Sequence, residues 1–191
     1  MYWCSHSYPH SCAANQNRSQ RCQEVECVQM NIFFLHFDAR IAATHHCDKH
    51  VVKMILETAQ LLYCSHWVVD PTRLPPGAYK KTHPNHPCGI WVRESGANYR
   101  WLCELGMALC DEYTFRYGKV HKTRAHLEWL AANPPVLPEV GVTLIRQAMP
   151  DEYKRPNPVD AYRTYYRENK LRLRGIVRYS KRKPPSYLTL S

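Results

Sequence analysis

The chain of 191 residues has no apolar run of 18 residues, so no membrane-spanning helix and no membrane partner are expected. Its first 29 residues contain no apolar stretch of the kind a secretory signal needs, which points to an intracellular, cytoplasmic or nuclear protein that is not secreted. Glycine is scarce, at seven residues, and neither a Gly-rich phosphate loop nor a Gly-x-Ser-x-Gly elbow is present. That argues against a nucleoside triphosphatase and against an ordinary serine hydrolase. There are nine cysteines but no Cys-x-x-Cys pair, so a closed structural zinc pattern is missing. In a reducing compartment the thiols are expected to be free, with Cys47, Cys64, Cys103 and Cys110 as ordinary packing residues on helices. Acids are under-represented, 16 against 26 Lys and Arg, for a net charge of +10. An excess of that size favours an anionic partner, and DNA is the expected one.

The composition is otherwise globular, with 45% hydrophobic and 12% aromatic residues. Residues 1–29 hold four of the cysteines and no periodicity, and read as a disordered extension or an upstream start. From Met30 the texture changes to a short apolar run, Asn-Ile-Phe-Phe-Leu-His-Phe, read as an extended segment. The expected fold is mainly α, one compact, monomeric domain of about four helices over residues 30–175, followed by a basic tail at 176–191.

The first helix is expected over 44–66, capped by Thr44, with Val51, Ile55, Ala59 and Leu62 facing the core. Its opposite face gathers His46, His50, Lys53, Glu57 and Gln60 into one polar stripe. A second helix is expected over 88–117 with Gly118 just beyond its end, and a third over 123–132. In the proline-rich stretch that follows, only 144–149 reads as helical. Asn157 and Pro158 form the clearest start signal, opening a last helix that should run to about Arg174 and stop at Gly175.

Three constellations carry chemical potential. On the first helix, His50 and Glu57 share a face with Lys53 between them, an arrangement suited to general acid/base work. The second is a histidine cluster: His46 and His50 at i and i+4, with His83 or His86 from a loop, would suit a zinc or iron site of a metal-dependent hydrolase. Otherwise no cofactor is expected. The third is the aromatic and basic last helix, where Tyr162 and Tyr166 would stack on bases and Arg163, Arg167 and Lys170 would hold phosphates. Residues 160–191 carry nine basic groups against two acids, the concentration that phosphate contact requires. A non-enzymatic nucleic-acid-binding or virion protein also fits this pattern.

Asp48-Lys49-His50, with Glu57 seven residues after the histidine, resembles the first-helix signature of pyrimidine-dimer DNA glycosylases of the endonuclease V type. Asn85-His86 ahead of a long helix and the Tyr162, Tyr165, Tyr166 cluster are similar to further segments of that family. The segment from Met30 also resembles uncharacterised phage and large-virus proteins that begin Met-Asn-Ile-Phe. The likeness implies a DNA-repair glycosylase and abasic lyase, with Glu57 as the catalytic carboxylate and His50 and His86 shaping the DNA site. Its nucleophile would be an N-terminal amine near the glutamate, which Met30 would supply if the chain began there, or else Lys53 or Lys49. The family's arginine before the glutamate is Leu56 here. Arg93 and Arg100 are the candidates to replace it.

Overall fold

Asp38 opens the first helix: its Oδ1 accepts the Arg40 and Ile41 N–H groups at 2.8 and 3.0 Å, which fixes α1 as Ala39–Thr44. Thr44 is therefore the last residue of a short helix and not the cap of a long one. The main helix α2, Asp48–Val69, starts four residues later. Its start is set from a distance. Cys47 N–H donates to the Tyr166 hydroxyl at 2.9 Å and Asp48 N–H to the Arg178 carbonyl at 2.9 Å, satisfying donors that a local cap would otherwise serve. The computed structural model describes residues 30–171 and 177–188, so the extension expected at 1–29 and the helix stop expected at Gly175 lie outside the described residues.

The second expected helix is two. Helix α3, Pro87–Glu94, begins on His86, whose Nδ1 accepts the Cys88 N–H at 3.2 Å. It ends at Ser95, which is extended (φ −155°, ψ 144°) and caps α4, Gly96–Tyr117, by accepting the Ala97 N–H. Gly118 closes α4 in the left-handed region at φ 67°, as its position predicts. Helix α5, Arg124–Ala132, matches expectation closely. Residues 144–149 form no helix. Asn157 caps α6, Pro158–Tyr165, which widens into a π turn over Tyr166–Leu171. The fold is mainly α, with six α-helices where four were expected and no strand among the described residues.

The long helices α2 and α4, 22 residues each, pack against one another. Helices α1 and α5 cover further parts of α4, α3 lies against both long helices, and the segment Met30 to Leu35 is buried in the core that they share. At Gly106 helix α4 comes close to α5 and α2 at once. A Cβ there would stand 2.8 Å from Leu127 Cδ2 on α5 and 2.9 Å from Thr58 Cγ2 on α2. Gly106→Ala should therefore destabilise the domain by about 1–3 kcal/mol through overpacking, despite alanine's better helix propensity. A urea midpoint equal to or above that of the wild type would refute this.

The five described cysteines, Cys47, Cys64, Cys88, Cys103 and Cys110, are free and buried. Burial pushes the Cys88, Cys103 and Cys110 thiols up to about 12. They are packing residues. No helix among the described residues is long and apolar enough to cross a membrane.

Candidate functional site

The polar stripe of α2 does not face solvent. Glu57 is 4% exposed and His50 only 1%. The outer face of α2 instead carries Lys49, Val52 and Leu56, with Lys53 and Gln60 at its edge. Glu57 is met by two nitrogens: Lys53 Nζ lies 2.9 Å from Oε1, and the Asn31 backbone N–H donates to Oε2 at 3.4 Å. Lys53 is half-buried, so the pair joins the interior to the surface.

Asn31 is the residue that sequence reasoning passed over. Its Oδ1 accepts the Ile32 and Phe33 N–H groups at 2.8 and 3.0 Å, and its amide donates to the Ala148 carbonyl at 2.9 Å. This short-range turn directs its own N–H at Glu57 and delivers Phe33 in the left-handed region, at φ 48°. An Asn ahead of an apolar run was the available signal. Met30 is buried beside it and receives the Thr82 hydroxyl on its sulfur at 3.8 Å, so the loop carrying His83 lies next to the Glu57 site. His83 is exposed and also left-handed, at φ 45°. Burial, with the neighbouring His83 second, lowers the His86 pKa. Arg93 donates to the Pro84 carbonyl at 2.8 Å and pins the same loop.

Asp48 and His50, the other residues of the family-like signature, serve the fold. His50 stacks on Phe33 at 5.0 Å, and its Nδ1 lies 2.7 Å from the Tyr166 hydroxyl. Asp48 accepts Arg116 Nη1 at 3.0 Å, the Ser180 hydroxyl at 2.6 Å and the Ser180 N–H. Arg116 is fully buried and also donates to Glu112 at 2.9 Å and to the His46 carbonyl at 2.8 Å. Arg182 pairs with the far side of Glu112. The Glu112–Arg116 spacing of i and i+4 was a visible hint of this network; Ser180 gave none.

The expected stacking residues are corrected by their surroundings, and the expected basic residues have partners on the protein itself. Tyr162 and Tyr166 are fully buried and cannot stack on a base: Tyr162 donates to the Arg146 carbonyl at 2.8 Å, and Tyr166 binds His50 and Cys47. Arg163 donates to the Leu35 carbonyl and lies over the Tyr187 ring, while Lys170 lies over Tyr165. Arg167 pairs with Glu168, and Arg100 with Glu139, both at 2.7 Å. The metal reading is corrected too. His46 Nδ1 is bonded to the Ala42 carbonyl and His50 to Tyr166, and no three His, Cys, Asp or Glu side chains among the described residues group to hold an ion. Nor is the tail loose where it is described: residues 178–182 form a strap bound across the start of α2 and the end of α4. A surface cleft between Tyr99, Cys103, Met107 and Pro134 is remote in sequence from Glu57 and includes, of the expected site residues, Arg100 alone.

Comparison with protein-family models, with curated proteins and with solved structures found no match to the chain.

Proposed function

We propose that this protein acts on damaged DNA, pyrimidine dimers among the candidate lesions, as a base glycosylase and abasic lyase in which Glu57 is the carboxylate and Lys53 the amine. The observation that carries the reading is the Lys53–Glu57 contact of 2.9 Å at the edge of the core, with the Asn31 N–H on the carboxylate's other oxygen. Passing one proton from Nζ to Glu57 frees the nitrogen lone pair. The amine then attacks C1′ of a flipped-out nucleotide as the glycosidic bond breaks and the base leaves with the bonding electrons. The nitrogen loses a second proton to solvent. Opening of the C1′–O4′ bond, with a proton onto O4′, gives the iminium; loss of a C2′ proton then expels the 3′ phosphate. In a chain beginning at Met30, an α-amine would stand one residue from the Asn31 amide and could take the role of Lys53.

Borohydride reduces the iminium to a stable link, so the test is trapping on duplexes that contain an abasic site or a pyrimidine dimer. The wild type should form an adduct, Lys53→Met should lose it, and Glu57→Gln should reduce its rate at least 100-fold. Mass spectrometry should place the link on Lys53 in the full chain. No adduct from either the full chain or the Met30-start chain removes the lyase reading and leaves a non-enzymatic nucleic-acid-binding role. We place the activity in the cytoplasm or nucleus of a reducing cell and assign it to a monomer; the buried free thiols support the compartment.

A further inference from the structure

Charges on this protein are unevenly partnered. Elsewhere on the described surface some cations meet acids, Arg40 with Glu104, Arg100 with Glu139, Arg124 with Asp111 and Glu128, and Arg146 with Glu94, while Arg73, Lys80, Lys81 and Lys122 are exposed without an ion pair. Where the strap crosses α2 and α4, unpaired cations from three separate segments gather around acids that are already satisfied. The acids there, Asp48 and Glu112, are buried and already held by Arg116, Ser180 and Arg182. Around them Lys49, Lys119, Arg178 and Lys183 are exposed, and none has an ion-pair partner among the described residues.

Three contacts place these cations on one end of the molecule. Tyr117 at the end of α4 donates to the Asp48 carbonyl in the first turn of α2, at 3.3 Å. Lys181 Nζ donates to the Phe115 carbonyl at 2.9 Å, and the Arg182 guanidinium lies 4.5 Å from the Phe115 ring centroid. Lys119 follows that turn directly, past Gly118. Lys49 stands one turn of α2, about 6 Å, from Lys53 and about 12 Å along the axis from Glu57.

We infer that this end of the molecule, built jointly by the first turn of α2, the end of α4 and the strap, is a docking surface for the phosphate backbone of duplex DNA. The inference rests on the glycosylase reading for its choice of partner, and on charge complementarity for its location. Unpaired cations can each release a counterion when they neutralise a phosphate, whereas cations already paired with acids have little to gain. Asp48 and Ser180 hold the strap in place, with Arg178 and Lys183 exposed on either side. The row Lys49, Lys53 then leads from the docked backbone to Glu57.

The test uses the full chain and a duplex with a non-cleavable abasic analogue, with affinity measured by anisotropy from about 50 to 300 mM salt. The triple variant Lys119→Gln, Arg178→Gln, Lys183→Gln should bind at least 10-fold more weakly at low salt. Its slope of log K against log salt should shrink by about 2–3, near 0.9 for each phosphate that is no longer neutralised. A second triple, Arg40→Gln, Arg100→Gln, Arg146→Gln, removes the same charge from paired positions and should keep the wild-type slope. Thermal melting of both checks that they fold. Equal slopes for the first triple and the wild type, or an equal loss in both triples, overturn the surface. Borohydride trapping separates the two ideas: no wild-type adduct with a reduced slope keeps the surface and removes the lyase, whereas an adduct with an unchanged slope does the reverse.

Discussion

Arg116→Met is expected to cost about 3–5 kcal/mol of folding stability, enough to leave a domain of this size largely unfolded on modest heating. The guanidinium is fully buried and binds Asp48 at 3.0 Å, Glu112 at 2.9 Å and the carbonyls of His46 and Thr44. Removing it takes the buried cation from between two carboxylates that are 9% and 5% exposed, leaving Asp48 to Ser180 and Glu112 to Arg182, and deprives two carbonyl oxygens of a donor. The cost comes from those under-partnered buried groups, since a buried ion pair by itself contributes little net stability. Asp48→Asn and Glu112→Gln in the same chain should therefore recover part of the loss. Urea denaturation at pH 7 measures both. A loss under about 1 kcal/mol for Arg116→Met would show that the network is dispensable.

Acidification should produce the second large effect. Burial, with the Arg116 charge adding to it, lowers the His46 pKa from 6.5 to about 4. Its Nδ1 is committed to the Ala42 carbonyl at 2.8 Å, and the ring is fully buried. Because the folded value lies below the unfolded one, the unfolded chain binds the proton first as pH falls. The His46 contribution is thus intact above about pH 6.5, is lost between 6.5 and 4, and changes no further below that. The span corresponds to about 3 kcal/mol. His45 and His66 are lowered to about 4 for the same leading reason, burial, and act in the same direction. Stability from urea midpoints should fall steeply from pH 7 to pH 4.5, and His46→Gln should flatten that dependence. A wild-type profile level across this range would contradict the assignment.

What could be read in advance was local chemistry. Asn157-Pro158 begins a helix because a side-chain acceptor and a residue without an N–H suit that position, and Gly118 ends one because it adopts positive φ. The start of α2 was misplaced because its first donors are satisfied by Tyr166 and Arg178, more than a hundred residues away. The break at Ser95 was missed because helical periodicity runs through it, while the carbonyl of Gly141 that receives its hydroxyl is distant in sequence. The polar stripe was correctly located on one helix for His50, Lys53, Glu57 and Gln60, but His46 precedes α2. The stripe was turned the wrong way, since periodicity equates polar with exposed; here Arg116, Ser180 and Tyr166 make the inside of α2 polar and leave Val52 and Leu56 on its outside. The proposed reaction rests on Glu57 and Lys53, which were legible as a pair, and on Asn31, which was not.

The strap also bears on the order in which the molecule can be finished during synthesis. Asp48, near the start of the described chain, takes its last three hydrogen bonds from Ser180, and Glu112 takes its outer partner from Arg182. Helices α1 to α5 can collapse while the ribosome is still reading later codons, but their acidic seam stays open until residues 178–182 emerge. The basic end of the molecule therefore assembles only after the helices, and a nascent chain stalled before it would expose two carboxylates where the strap otherwise brings cations.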